Sequence, residues 1–208
     1  LQENGLYYGE RYDARLEMPG WDQPTFDDKS WENAVEVEGY PLCSQLLPPI
    51  RVVETRKTTK LSETDKQSKI YDCGQNFSGW VRLVVRGERG TEVRLRHAEL
   101  LNEDGSLNVS PNQNAEATDV YVLSGAGIEA YEPRFTYHGF RYFEISGQPA
   151  LPEILTVEAC SVHSDVDHVG SFTCSNELLN KVHQNILMGQ LSNLMGIPTD
   201  CAQRDERH

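Results

Sequence analysis

Basic residues are scarce in this 208-residue chain: 19 lysines and arginines stand against 32 aspartates and glutamates, for a formal net charge of -13. An acidic surface repels phosphate groups, so we expect neither nucleic acid nor a membrane surface as a partner. Long apolar runs are also missing, since no stretch approaches the roughly 20 residues that span a bilayer. With 38% hydrophobic and 25% charged residues, the composition is that of a globular protein.

Closely spaced cysteines are absent as well. The five cysteines form no C-x-x-C pair and lie at Cys43, Cys73, Cys160, Cys174 and Cys201. An odd number cannot pair completely within one chain, and a metal site would need ligands closer in sequence. We therefore expect free, mostly buried cysteines, no metal and no other cofactor.

The first fifty residues are rich in turn-forming and aromatic residues. Trp21, Phe26 and Trp31 recur at five-residue spacing among Pro, Asp and Gly, which is the period of neither a helix nor a strand. Pro48 and Pro49 close this segment. The pattern predicts a loop pinned by aromatic side chains, followed by a linker.

Short β-strands dominate from residue 51 to about 165. In "GWVRLVVRGERGTEVRLRHAEL", Val81, Leu83 and Val85 alternate with other residues before an "ERG" turn, and the alternation resumes over residues 93–97. This pattern predicts a hairpin with one buried face and one wet, cationic face. Further strands are predicted within residues 51–59, 68–74, 118–125, 134–147 and 153–164. Many short strands with no helix between them predict a mainly β fold, an antiparallel, jelly-roll-like β-sandwich.

The apolar period changes after Phe172. Apolar residues then follow the stripe of an amphipathic helix, at Leu178, Leu179, Val182, Ile186, Leu187, Leu191, Leu194 and Met195. Ser175 or Asn176 is the predicted N-cap, and Gly196 with Pro198 is the predicted end. The β domain offers no partner helices for this stripe. We therefore expect residues 166–208 to begin a helical domain, and the face through Leu178, Val182 and Ile186 offers a surface for self-association.

The chain closes on "TDCAQRDERH", its densest cluster of carboxylates and guanidinium groups. Taken alone, a mixed-charge decapeptide after a helix is usually a solvated tail. Hydrolysis of a glycosidic bond, however, needs one carboxyl group to protonate the leaving oxygen and another to activate water. Aspartate and arginine also suit a sugar, because neighbouring hydroxyl groups each present a donor and an acceptor.

Several stretches together carry a family resemblance. "IPTDCAQRDER" resembles the "PTDCPQRDERLGW" signature of bacterial α-L-rhamnosidases, glycoside hydrolase family 78. "YDCGQNFSGWVRLVVRGERGTEVRLRHAELLNEDGSL", "TDVYVLSG" and "YEPRFTYHGFRYFEISG" resemble that family's β-sandwich domain, and "LYYGERYDARLE" resembles the end of the domain before it. Ala202 stands where the family usually has Pro and His208 where it usually has Leu.

The resemblance implies three regions: residues 1–50 as the last part of an N-terminal β domain with a linker, residues 51–165 as the β-sandwich, and residues 166–208 as the start of a catalytic (α/α)₆ barrel. The barrel is then incomplete here, with its first helix and an active-site loop. The expected Gly-Trp after Arg207 is missing. We expect the 208-residue piece to be inactive alone.

By the same resemblance, Glu206 matches the general acid, and Asp200 and Arg204 match residues that bind the rhamnosyl hydroxyl groups. Asp205 matches a further member of the signature, with a supporting role in sugar contact or in tuning the pKa of Glu206. The substrate implied is a rhamnose-containing glycoside or polysaccharide. The family inverts configuration, so its catalytic base would come from a later barrel loop.

Other interpretations stay open from the residues alone. The sandwich could be a non-catalytic carbohydrate-binding or scaffold module, or the chain could belong to an enzyme that releases a different sugar. His97-x-Glu99 is a weak metal pair, and a histidine on a half-buried strand face is the better interpretation. The run Tyr137, His138, Phe140, Arg141 and Tyr142 fits either a sugar platform or sandwich core.

Overall fold

The computed structural model describes residues 1–64 and 68–204. Within them, one α-helix follows a series of strands, and two short 3-10 helices lie at Ala14–Leu16 and Ser110–Asn112. The strands are β1 (Glu3–Gly5), β2 (Gly9–Asp13), β3 (Ile50–Arg56), β4 (Thr59–Thr64), β5 (Ser68–Arg86), β6 (Glu92–Ala98), β7 (Leu100–Leu101), β8 (Leu107–Asn108), β9 (Thr118–Val122), β10 (Ile128–Tyr131), β11 (His138–Gln148), β12 (Glu153–Ser164), β13 (Leu194–Met195) and β14 (Ile197–Pro198); the helix α1 is Glu177–Ser192.

Ten of these strands form one curled sheet. Its order is β1-β2-β9-β6-β11-β5-β12-β3, and β4 and β10 pair with further parts of β5. All described pairs in it are antiparallel except β2 with β9, which run parallel, so the sheet is mixed. The predicted mainly β sandwich followed by one helix is confirmed.

Strand β5 joins the two layers of the sandwich. Its first part pairs with β11 and β4, and its last part, from Gly79 onward, pairs with β12 and β10. A Cβ atom at Gly79 would lie 1.9 Å from the carbonyl oxygen of Cys160, so only glycine fits where β5 meets β12. The 19-residue strand thus replaces two shorter strands that the sequence predicts.

The core lies between the two parts of the curled sheet. The predicted alternation is confirmed: Val81, Leu83, Val85, Val93 and Leu95 are fully buried in one cluster. The predicted hairpin is wrong, however, because β6 pairs with β9 and β11 and not with β5. Period-2 alternation specifies which face is buried but not which strand lies alongside, and here the two stretches face each other across the core.

The segment between Leu16 and Ile50 contains no strand or helix. The Phe26 and Trp31 rings contact each other with centroids 5.5 Å apart, while Trp21 is 62% exposed. The aromatic side chains therefore anchor this loop only in part.

The helix α1 begins where the sequence predicts. The side chain of Asn176 accepts hydrogen bonds from the backbone N–H groups of Leu178 and Leu179, as expected of an N-cap. The predicted end at Gly196 is wrong, because the helix ends at Ser192 and residues 194–198 form the hairpin β13–β14. Neither α1 nor any other helix among the described residues has the length and apolarity needed to cross a membrane.

All five cysteines are free. Cys73 and Cys160 are buried as expected, but Cys43 is exposed and the other two are partly exposed. The expectation of mostly buried thiols is thus right for the sandwich and wrong for Cys43.

Candidate functional site

The residues of the signature follow α1 directly. After the hairpin β13–β14, residues 199–204 form what we call the signature loop. The turn of the hairpin needs Gly196, whose φ is 80°. The backbone N–H of Gly196 donates to the hydroxyl oxygen of Ser164 at 2.7 Å, which fastens the hairpin to the end of β12.

The signature loop touches the helix at one end and the sandwich at the other. The backbone N–H of Thr199 donates to the carbonyl oxygen of Asn193 at 2.8 Å, just past the end of α1. Arg204 Nη1 donates to the carbonyl oxygen of Pro111 at 2.9 Å, in the second 3-10 helix. The loop is therefore held between two elements that are far apart in sequence.

The structure places two of the four site residues that the sequence proposes. Asp200 is exposed at the start of the signature loop, and Arg204 is partly buried at its end. Asp205 and Glu206 lie outside the described residues. Their proposed roles, and those of Asp200 and Arg204, stay predictions.

A cleft of about 290 Å³ is lined by the signature loop, the sandwich and α1. The sandwich contributes the polar side chains of Gln75, Asn76 and Glu99, and Asn76 Nδ2 donates to Glu99 Oε1 at 2.6 Å. Residues 201–203 and the last turns of α1 complete the lining. Amide and carboxylate groups in such a cleft suit a polyhydroxylated ligand, because each can exchange hydrogen bonds with hydroxyl groups.

A second cleft, of about 250 Å³, shares no lining residue with the first. Its floor is the stacked pair Tyr121 and Tyr131, with ring centroids 4.7 Å apart, and Phe135 is 60% exposed at its edge. Arg82 and Glu132, joined by a hydrogen bond of 3.1 Å, also line it. An exposed aromatic ring beside charged groups is a common composition for a sugar site.

Three buried polar side chains meet beneath the second 3-10 helix: His97, Asp119 and His138. His97 Nδ1 lies 3.0 Å from the carbonyl oxygen of Ala117 and therefore donates to it. His138 Nε2 donates to Asp119 Oδ1 at 3.0 Å, and that oxygen also accepts from the backbone N–H of Glu10 at 2.9 Å. The sequence analysis considers His97 and His138 separately, and no pattern in it brings them together with Asp119. His97 is fully buried, where a half-buried strand face is predicted.

These three side chains offer ligand atoms within 4.8 Å of one another, which raises the question of a metal ion. The His97 and His138 rings are stacked, with centroids 4.2 Å apart and planes inclined by 20°. A nitrogen lone pair lies in its ring plane, so two stacked, nearly parallel rings do not aim at one ion about 2.0–2.1 Å from each nitrogen. We therefore interpret the cluster as hydrogen-bonded core.

Burial determines the ionisation of this cluster. It lowers the pKa of His97 to about 3, so the ring is neutral at physiological pH. Burial alone would raise the pKa of Asp119, but the adjacent His138 and the hydrogen bonds to the carboxylate outweigh it and lower that pKa. Three buried atoms of the cluster have no hydrogen-bond partner among the described residues: His97 Nε2, His138 Nδ1 and Asp119 Oδ2.

The aromatic run Tyr137–Tyr142 is divided between the core and the partly exposed face of the sandwich. His138 and Phe140 are buried, and Arg141 forms two hydrogen bonds with Asp72, at 2.8 and 2.9 Å. The Arg141 guanidinium lowers the pKa of Asp72, which keeps the pair ionised. The sugar-platform interpretation of this run therefore has no support from the buried rings.

Three family descriptions match successive parts of the chain. Residues 1–54 match the α-L-rhamnosidase N-terminal domain, residues 62–163 the bacterial α-L-rhamnosidase concanavalin-like domain, and residues 167–208 the bacterial α-L-rhamnosidase 6 hairpin glycosidase domain. The matches run in chain order and leave only short stretches between them.

Individual relatives agree with these descriptions. The structure of an α-L-rhamnosidase from Dictyoglumus thermophilum is 55% identical with a TM-score of 0.91, over 98% of this chain and 23% of that one. The α-L-rhamnosidase of Streptomyces avermitilis is 42% identical over 97% of this chain and 20% of its own length, and its structure in complex with L-rhamnose has a TM-score of 0.86. A curated α-L-rhamnosidase from Formosa agariphila is 38% identical.

The chain spans about a fifth of the length of the curated relatives that it matches. Over nearly all of its own residues, the sequence, the order of the matched regions and the fold agree with one group of proteins. The chain belongs to the bacterial α-L-rhamnosidase family, glycoside hydrolase family 78.

Proposed function

We propose that this chain is part of a glycoside hydrolase that removes terminal α-L-rhamnose from rhamnosides. The observation that carries the proposal is the signature loop: its residues 201–203 line a polar cleft, and Asp200 and Arg204 flank them in sequence, in a chain whose relatives are named α-L-rhamnosidases. The substrate is a rhamnose-containing glycoside or polysaccharide.

Each charged residue of the signature has a proposed role. Glu206 protonates the glycosidic oxygen as the bond to the rhamnosyl carbon breaks, so its carboxyl group must hold a proton near neutral pH. Asp200 accepts hydrogen bonds from sugar hydroxyl groups, and Arg204 donates to them. Asp205 supports Glu206 or contacts the sugar. A sugar that lacks one of these hydroxyl groups leaves a charged partner unpaired, which favours selectivity.

The proposed mechanism inverts the anomeric carbon. A base on the far side of the sugar then activates water, with the two carboxyl groups roughly 6.5–9.5 Å apart. In this proposal the chain has three regions: the last part of an N-terminal β domain with a linker in residues 1–50, the sandwich in residues 51–165, and the start of a helical barrel in residues 166–208. The base comes from a later part of that barrel. NMR of the first product tests the stereochemistry: β-L-rhamnose supports inversion, and α-L-rhamnose contradicts it.

Glu206→Gln in the full-length protein that carries this chain tests the general acid. We expect kcat for an alkyl rhamnoside to fall on the order of 100- to 10,000-fold. A nitrophenyl rhamnoside should be affected much less, because its leaving group needs little protonation. Glu103→Gln, which alters an exposed loop carboxylate, is the matched control. Equal losses on both substrates would contradict the assignment, and unchanged rhamnose release would contradict the whole proposal.

The 208-residue chain alone should release no rhamnose, because it supplies the proposed acid without the base. A colorimetric rhamnoside assay on the purified chain checks this expectation, with the full-length protein as the positive control. Turnover by the short chain comparable to that of the full-length protein would refute it.

A carbohydrate-binding role for the sandwich is the second candidate, and the cleft beside Phe135 favours it. Titration of the chain with L-rhamnose, followed by NMR, would then shift signals around Tyr131 and Phe135, and Phe135→Ala would weaken binding. No shifts at millimolar rhamnose would remove this candidate and leave the catalytic proposal untouched.

We also propose that the apolar face of α1 supports self-association of the chain. Leu178, Val182 and Ile186 are 68%, 44% and 62% exposed. Sedimentation velocity at increasing concentration, with Ile186→Glu for comparison, tests this. A chain that sediments as a monomer at every concentration contradicts the proposal.

A further inference from the structure

Gly139 lies inside the strand that the sequence predicts over residues 134–147 and is the second residue of the observed strand β11, where a glycine needs a physical reason. Its neighbours on β11, His138 and Phe140, are buried and point into the core. Successive residues of a strand point to opposite faces, so a side chain at Gly139 would point away from the core. That direction is occupied by the signature loop.

The space beside Gly139 is filled by backbone. A Cβ atom there would lie 2.6 Å from both the carbonyl carbon of Ala202 and the backbone nitrogen of Gln203, and 2.8 Å from the Ala202 Cβ. Backbone atoms cannot rotate away as the end of a long side chain can. The backbone of Gly139 has a negative or extended φ, so glycine is required by space and not by conformation.

Two further contacts fasten this part of the chain to the sandwich, one through the hairpin β13–β14 just before the signature loop and one through the loop itself. The hydroxyl oxygen of Ser164, a buried residue at the end of β12, accepts from the N–H of Gly196 at 2.7 Å. The Pro111 carbonyl accepts from Arg204 at 2.9 Å. The Pro111 turn is itself fixed, since Asn112 Nδ2 donates to the carbonyl oxygen of His97 at 3.1 Å.

We propose that Gly139 and Ser164 are positioning residues: they seat the signature loop and the hairpin before it on the β-sandwich and thereby fix where Asp200 and Arg204 lie. This inference rests on the proposed function for its catalytic consequence. The seating itself is a property of the described residues. In this proposal Gly139 and Ser164 act on the reaction through the loop.

The alkylation rate of the Cys201 thiol measures whether the loop is seated on the sandwich, and this measurement does not require enzyme activity. Cys201 is a partly exposed thiol next to Ala202, so displacement of the loop should expose it. In Gly139→Ala, we expect alkylation of Cys201 by iodoacetamide to be roughly fivefold faster, and Ser164→Ala to have a smaller effect in the same direction. Mass spectrometry separates Cys201 from exposed Cys43, whose alkylation rate is the internal reference.

Gly170→Ala is the matched control, because nothing lies within 4 Å of a Cβ atom at Gly170. It should leave Cys201 alkylation unchanged. Ser164→Ala introduces no clash, so it keeps the inference testable even where Gly139→Ala does not fold. Folded Gly139→Ala and Ser164→Ala variants that both alkylate at the wild-type rate would overturn the inference.

The full-length protein tests the catalytic consequence. Gly139→Ala should lower kcat on the order of 10- to 100-fold, with a smaller change in KM, because a small misplacement of catalytic groups is costly. A purely destabilising substitution would lower the unfolding temperature and leave kcat per folded molecule intact. Faster Cys201 alkylation with unchanged kcat would overturn the positioning role. A wild-type protein that releases no rhamnose would instead defeat the proposed function, and alkylation would still decide the seating.

Discussion

Replacing His97 with asparagine tests how the buried histidine couples folding to pH. Asparagine cannot titrate, and its amide can still donate to the Ala117 carbonyl oxygen that accepts from His97 Nδ1 at 3.0 Å. In the folded chain burial lowers the pKa of His97 from 6.5 to about 3, whereas the unfolded chain keeps the ordinary value. Between these two values only the unfolded state binds the proton, so the free energy of unfolding falls as the pH falls.

The magnitude follows from the gap between the two pKa values. At pH 7 the unfolded state is barely protonated, and His97 changes the stability little. From pH 6.5 down to pH 4, about 2.5 pH units, only the unfolded state binds the proton. At 1.36 kcal/mol per unit, the free energy of unfolding falls by about 3 kcal/mol over that range. Asp119 has a lowered pKa in the folded chain, so its ionised form stabilises the fold above the ordinary aspartate pKa. This contribution to the free energy of unfolding is lost as the pH falls below that value. Carboxyl groups contribute to both proteins, so the difference between wild type and His97→Asn over the interval from pH 6.5 to 4 reports His97.

Urea unfolding of the 208-residue chain at pH 7, 6, 5 and 4 measures the effect. Wild type should lose about 3 kcal/mol more than His97→Asn across this interval, although the variant starts from a lower stability because of its smaller side chain. His168→Asn, at an exposed position, should lose as much as wild type. Parallel curves for wild type and His97→Asn would show that His97 does not stay neutral in the core.

Two further substitutions test the core and the helix cap. Phe143→Ala removes a fully buried ring that stacks on Tyr71, and it should cost about 3–5 kcal/mol in urea unfolding, against less than about 0.5 kcal/mol for exposed Phe135→Ala. Equal effects would contradict the assigned core. Asn176→Ala removes the N-cap of α1 and should cost about 1 kcal/mol, measured as roughly fivefold faster hydrogen exchange in the first turn. Exposed Gln184→Ala is the control and should not speed exchange there. Unchanged exchange in Asn176→Ala would contradict the cap.

Local patterns in the sequence predict much of the fold. The strand β12 has the predicted bounds, and the alternation around Val81 and Val93 identifies the buried faces correctly. The N-cap at Asn176 is also readable, because its side chain acts on residues two and three positions later. Such features depend on neighbours in sequence.

Features that depend on distant partners are not readable in the same way. Residues 80–98 resemble a hairpin, yet β5 pairs with β11 and β12, which lie more than fifty residues downstream, and these contacts decide the topology. The helix ends at Ser192 because the hairpin β13–β14 follows, whereas the apolar stripe alone suggests about one more turn. The apolar stripe through Met195 could not reveal that Gly196 is fastened to Ser164.

The candidate site shows the same division. The signature identifies Asp200, Arg204, Asp205 and Glu206 by resemblance, but no pattern links them to the sandwich. Gly139 carried a usable signal, since a glycine inside a strand often marks close approach by another backbone. The partner of that glycine, more than sixty residues away, becomes visible only in the folded chain.

The long strand β5 has a consequence for synthesis on the ribosome. The last part of β5, which ends at Arg86, cannot complete its pairing until β12 has been synthesised as far as Ser164. At about 5–20 residues per second, translation of the intervening segment takes on the order of 4–15 s. During those seconds a nascent chain presents an apolar strand with open edges, a form that chaperones bind and that neighbouring polypeptides can capture in aggregates.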